Sequence, residues 1–220
     1  MSSSAASSAR APRVDSVLSR LEAEIVEGVL APGQKVSEAE LAARFGTGRA
    51  PIREALRTLE SRRLLQRVPF AGMRVVQLSK EDVASLLRIR GALEGLAARE
   101  AAERIDADGR ARLERAMAVE GDLVAEGVGA VFRRGSQDNG FHETVAGLSG
   151  NDWLQAMLMG DLYALLRTVR FRSASDRTRL GAAHAEHVEI AAAIAGGDPA
   201  AAERLMRDHV ARSLAHLTRG

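Results

Sequence analysis

The chain of 220 residues contains no cysteine. That excludes disulfides, thiol nucleophiles and every cysteine-ligated zinc site, and it agrees with a reducing cytoplasm. Aromatic residues make up only 3% of the chain, while alanine and leucine abound. Such a composition favours helices packed through aliphatic side chains over a sheet-rich fold. No apolar run approaches the roughly 18 residues of a membrane span, so no membrane partner is expected. Residues 1–12, opening Met-Ser-Ser-Ser-Ala-Ala-Ser-Ser, lack the apolar segment of a signal peptide and read as a disordered tail. Acidic residues are scarce in one place: residues 44–74 hold 8 arginines and 2 acids, although the whole chain carries only +2. Residues 1–78 carry 12 Arg/Lys against 8 Asp/Glu, and residues 79–220 carry 19 against 21. A basic front and a mildly acidic back imply an anion-binding module joined to a module with another task.

The stretch from Arg49 to Glu60 reads as a short helix with two unlike sides. Ile52, Ala55, Leu56 and Leu59 recur at three- and four-residue steps and form a stripe that needs a core. Arg49, Arg53 and Arg57 recur every fourth residue and stack as a strip of guanidinium groups beside it. Glu54 and Glu60 fall off that strip. A planar guanidinium fork can hold a phosphate, or the two major-groove acceptors of guanine, so the helix is expected to lie in a DNA groove.

The flanking elements agree with that reading. Residues 14–29 give an amphipathic helix that ends near Gly28, followed by the turn Ala31-Pro32-Gly33. Ser37 starts a second helix as N-cap, with Glu38 and Glu40 in its first turn, and Gly46-Thr47-Gly48 breaks it. With Gly48 as N-cap of the arginine helix, Pro51 sits at the third helical position, where its missing N–H would be unpaired anyway. Two β-prone runs, Gln66-Arg67-Val68 and Met73-Arg74-Val75-Val76, surround a Pro/Gly turn and read as a hairpin. Helix, helix, tight turn, basic helix and hairpin make a winged helix-turn-helix. Gly72 lets backbone approach a partner closely, and Arg74 beside it adds charge at the wing.

Behind residue 78 the pattern changes. Ser79-x-Glu81-Asp82 opens a helix reaching about Glu103. Further helical periodicity covers residues 108–125, 128–146, 152–172, 177–195 and 199–217. The fold class is therefore mainly α: a winged helix-turn-helix over residues 13–78, then an all-α six-helix bundle over residues 79–220. Trp153 and Tyr163 read as packing residues.

Polar residues within the bundle carry its chemistry. Asp138 and His142, four apart, point from one face of one helix, and His187 and His209 follow on later helices. One carboxylate and three imidazoles could close on a divalent ion such as Zn or Ni. Spacing alone leaves open a surface pair or satisfied core groups, and it leaves His184 and His216 as alternatives.

Two sets of residues resemble a known family. Pro32-Gly33, Glu38, Leu41-Ala42, Phe45-Gly46, Arg49-x-Pro51-Ile52-Arg53-Glu54-Ala55-Leu56, Leu59, Leu64-Leu65 and Gly72-x-x-Val75 resemble the N-terminal domain of GntR-type bacterial transcription regulators. Arg90-x-x-x-Glu94, Asp138-x-x-Phe141-His142, Leu148-x-x-Asn151, Glu186-His187, Ala193-Ile194-x-x-Gly197-Asp198-x-x-x-Ala202 and His209 resemble the FCD effector domain of the FadR subfamily, closer to its six-helix VanR-like members than to the acyl-CoA-binding fatty-acid regulator. The resemblance implies that Arg49 and Arg53 read operator bases and that Gly72 lies at the wing tip in the minor groove. It implies that Asp138, His142, His187 and His209 hold a metal ion. It also implies that Arg90 and Asn151 line a pocket where a small carboxylic acid completes the metal's shell. Gly48 stands where the family usually has Ser or Thr, and Ala39 where some members carry a DNA-contacting arginine.

The reading that follows is a homodimeric, ligand-responsive regulator, acting as a repressor in the cytoplasm on the double-stranded DNA of a palindromic operator. Its site residues are Arg49, Arg53, Arg57, Gly72 and Arg74 for DNA, Asp138, His142, His187 and His209 for metal, and Arg90 and Asn151 for the effector. The alternative is a metal-dependent hydrolase on a helical scaffold. Against it, His142-Glu143 has Ala146 where a His-Glu-x-x-His motif needs histidine, and no catalytic residue stands out.

Overall fold

The computed structural model describes residues 14–127, 140–160, 163–174 and 177–219. They divide into two compact units, one ending at Gln77 and the other beginning at Leu78.

The first unit contains α1 (Val14–Val26), β1 (Lys35–Val36), α2 (Glu38–Phe45), α3 (Arg49–Ser61), β2 (Leu65–Val68) and β3 (Gly72–Val75). Ser37 caps α2 by accepting from the Glu40 N–H, as a serine before a helical run should. Gly48 stands at the N-cap of α3 with extended backbone and no side-chain cap. α1 packs on α3, and Val17, Leu21, Ile25, Ile52, Leu59, Leu64 and Val75 are buried at 5% exposure or less. β2 and β3 form the antiparallel hairpin, with Leu65 opposite Val75 and Val68 opposite Gly72. The sequence reading missed β1, which pairs antiparallel with β3 to give the order β1-β3-β2. Two residues are too few to show alternation; the strand exists because Gln34 and Gly33 bond to the backbone of Val75.

The second unit is helical throughout its described residues: α4 (Lys80–Arg104), α5 (Ala107–Glu126), α6 (Phe141–Leu148), α7 (Asp152–Met159), α8 (Tyr163–Ala174), α9 (Arg177–Ala195) and α10 (Pro199–Thr218). A capping box starts α4: Ser79 Oγ accepts from the Asp82 N–H while Asp82 accepts from the Ser79 N–H, each at 3.0 Å. Asp198 caps α10, with Pro199 at its first turn. α4 runs through the centre, with α10 and α6 against it. Its small residues Ala97, Ala98, Ala101 and Ala102 pack with Phe141 and Val145 of α6, Ile190 and Ile194 of α9, and Met206 of α10.

Four expectations need correction. Residues 128–146 are not one helix, because Gly140 is extended and α6 begins at Phe141. Residues 152–172 are not one helix. Gly160 ends α7 at φ −90°, ψ −120°, and a Cβ there would lie 2.3 Å from the Ala156 carbonyl oxygen, so the turn admits only glycine. The described residues therefore hold seven helices in this unit, where six were expected. Trp153 is no packing residue but 82% exposed. α7 buries Leu154 and Leu158, four apart, and Trp153 falls off that stripe. The side chain of Tyr163 lies outside the described residues.

Candidate nucleic-acid interface and metal centre

On α3 the buried side is Ile52, Ala55, Leu56 and Leu59, while Arg49, Arg53 and Arg57 are exposed. Arg53 is fixed by Glu38 in the first turn of α2: its Nε donates to Oε2 at 3.2 Å and its Nη2 to the same oxygen at 3.1 Å. The Glu38 carboxyl is held below the usual carboxylate range by that bond, with the nearby charges of Arg49 and Arg57 adding to it. Arg49 and Arg57 make no direct hydrogen bond or ion pair among the described residues. At the wing, Phe70 and Gly72 adopt φ of +59° and +82°, which closes the turn and leaves Phe70 fully exposed. Arg74 is half-buried, and its Nη1 donates to the Gly33 carbonyl at 2.8 Å, tying β3 to the turn before β1.

In the second unit, α6, α9 and α10 bring together three buried imidazoles: His142, second residue of α6, His187 on α9 and His209 on α10. Each offers a nitrogen within 4.8 Å of the others. Phe141 stacks on the His187 ring at 4.2 Å. Asp138 lies outside the described residues, and α6 begins only at Phe141 behind an extended Gly140. His184 is not part of the cluster; its Nδ1 lies 3.6 Å from Glu120.

Carboxylates fix the rings from behind. Glu120 of α5 lies 2.7 Å from His187 Nδ1, and Glu186 of α9 lies 2.6 Å from His209 Nδ1. Glu186 is itself gripped by Arg179 at 2.9 and 3.0 Å and by Arg212 at 2.8 Å. Burial pushes the Glu186 carboxyl up, but its bonds to His209 and Arg179 outweigh this and hold it at about 2. Burial lowers His209 to about 3, against the opposing pull of Glu186, so this ring is neutral at pH 7.

Whether these residues suit a metal can be tested on their nitrogens. A neutral ring that gives its Nδ1–H to a carboxylate presents a lone pair at Nε2. The Nε2 atoms of His187 and His209 face each other at 3.2 Å. Two lone pairs at that distance repel unless one ring takes a proton or a cation lies between them. Nitrogens bound at about 2.0–2.1 Å to one tetrahedral ion would lie about 3.3 Å apart. The donor set fits a divalent ion that accepts imidazole.

Arg90 of α4 reaches the same place. Buried, it donates from Nε to Glu94 at 2.9 Å, and its Nη2 lies 3.0 Å from His142 Nε2. Glu94 Oε2 is 3.1 Å from His142 Nδ1 without hydrogen-bond geometry. Asn151 serves α7 as N-cap, its Oδ1 accepting from Leu154 at 3.1 Å and its Nδ2 donating to Glu100 at 3.0 Å. Glu120 and Arg179 were missed from sequence, and Glu186 was noted only as a motif position with no role. Glu186 had a signal in its position next to His187, whereas Glu120 is 67 residues from its partner and had none.

Comparison with known proteins agrees with both halves. Residues 13–75 match the family described as bacterial regulatory proteins, gntR family, and residues 85–212 match the FCD domain. A probable D-xylose utilization operon transcriptional repressor of Paenarthrobacter nicotinovorans is 36% identical over 200 residues, covering 87% of this chain and 82% of that one. The HTH-type transcriptional regulator LutR of Bacillus subtilis is 31% identical, with coverage of 88% and 93%. Among solved structures, E. coli McbR/YncC shares the fold at a TM-score of 0.77 and 20% identity, covering 94% of this chain and 97% of that one. Both curated relatives are described as transcriptional regulators, and the hydrolase alternative finds no support in these matches. With winged helix-turn-helix and FCD domain both matched, the chain belongs to the GntR family of bacterial transcription regulators.

Proposed function

We propose that this regulator is a homodimeric, cytoplasmic repressor whose second unit senses a small carboxylic acid through a divalent ion. The observation that carries the reading is the closed set of three buried imidazoles, two of them backed by carboxylates, beside the buried cation Arg90. His142, His187 and His209 hold the ion, with Asp138 as a fourth ligand by family resemblance. When bound, the ion supplies Lewis acidity toward an acid's carboxylate. Arg90 supplies a cation for the same group, and the aromatic and aliphatic walls exclude water. Homodimerisation is supported by an exposed stripe on α4: Ile89, Ala92 and Leu96 recur at the spacing of a helix–helix seam.

An acid alters operator affinity only if it binds the DNA-competent and incompetent arrangements unequally. Titrating a panel of small carboxylic acids into the zinc-loaded protein is expected to yield at least one that changes operator Kd by about 5- to 150-fold, as a coupling of about 1–3 kcal/mol requires. Identical operator affinity with every acid that raises the melting temperature would exclude the sensing role.

The carboxylates behind the rings lead to a second expected result. Glu120→Ala removes the acceptor that sets the His187 tautomer, and zinc affinity should drop by about 10- to 100-fold. Competition with a chromogenic chelator measures this, and an unchanged dissociation constant would deny Glu120 that part.

A further inference from the structure

The guanidinium of Arg53 has two hydrogen-bonding edges. Glu38 occupies the side edge, made of Nε–H and one N–H of Nη2, at 3.1–3.3 Å. That leaves the end edge, Nη1 with the second N–H of Nη2, as a two-pronged donor. This edge still matches two neighbouring acceptors such as guanine O6 and N7. The pair has little to offer stability, because its side chains are 53% and 39% exposed and water screens it. A carboxylate beside an arginine strip also weakens indiscriminate attraction to phosphates. Glu38 therefore acts on recognition more than on folding.

We infer that Glu38 is a specificity-determining positioning residue: it aims the free edge of Arg53 at a guanine and restrains that arginine from pairing with phosphates instead. The inference rests on α3 being the element that enters the DNA groove. Within that frame, Arg49 and Arg57 lack such a partner among the described residues, so that of the three arginines Arg53 is the one aimed before DNA arrives.

The test uses the full chain, its Glu38→Ala and Glu38→Gln variants, the duplex that the unchanged protein enriches from a random library, and a shuffled duplex of equal composition. In both variants, affinity for the shuffled duplex should rise about threefold and its salt dependence steepen by about one unit of slope, as a newly freed arginine finds a phosphate. Preference for the enriched duplex over the shuffled one should fall about tenfold. Selection repeated with the variants should lose a guanine at one position of each half-site and keep the rest. Preference retained within threefold in the glutamine variant overturns the inference while leaving DNA reading by α3 intact. So does a loss spread evenly over all positions, which would mark a structural role. If the unchanged protein enriches no duplex at all, sequence reading by α3 fails and this inference with it.

Discussion

Replacing Arg49 and Arg53 together by alanine is expected to weaken operator binding by between about 30-fold and 10⁴-fold. A bidentate base contact is worth about 1–3 kcal/mol, and two such contacts are removed. Fluorescence anisotropy at one fixed salt concentration measures the loss. The substitution should leave the unit folded, since both side chains are exposed and the buried stripe of α3 is untouched. Binding to random duplex should weaken far less, because the other arginines of the first unit still meet phosphates. A double variant that kept its operator affinity would remove α3 from the reading surface.

The second large effect concerns the histidines. His187→Ala and His209→Ala should each reduce bound zinc from about one ion per chain to almost none, because the remaining donors no longer close the shell. An ion that binds only the folded chain at a free concentration of 100 Kd stabilises it by about 2.7 kcal/mol. For a domain of this size that is about 5–10 °C in melting temperature. A chelator should therefore lower the melting temperature of the unchanged protein by that amount and leave both variants where they are. Elemental analysis alongside thermal melting provides the check, and chelator-indifferent melting of the unchanged protein would refute the metal centre.

How much could be read beforehand depended on whether a signal was local. The two sides of α3 were legible because one side is a core stripe and the other a repeat of arginines within four turns. The caps at Ser37, Ser79 and Asp198 were legible for the same reason: cap and capped N–H lie three residues apart. The break at Gly160 was not, because a lone glycine inside a periodic apolar run costs a helix only about 1 kcal/mol and does not by itself announce an end. Partnerships across helices were invisible. Nothing in the spacing pairs Glu38 with Arg53, or Glu120 with His187, since each pair is made by packing. The histidines were raised as candidates from the residues themselves, and family resemblance then picked 187 over 184 where periodicity could not. Asn151, which the resemblance places at a pocket, caps α7 and donates to Glu100, and its place beside a loop start is what made the cap legible.

The eight residues of α6 have one further implication. So short a segment cannot sustain helical structure in water by itself. It is held by Phe141, Val145 and Ala146 in the core, and His142 sits at its very beginning. An ion bound at that imidazole would add to the hold of the core on the segment's first turn, so occupancy of the proposed centre and order of this stretch of backbone would be linked.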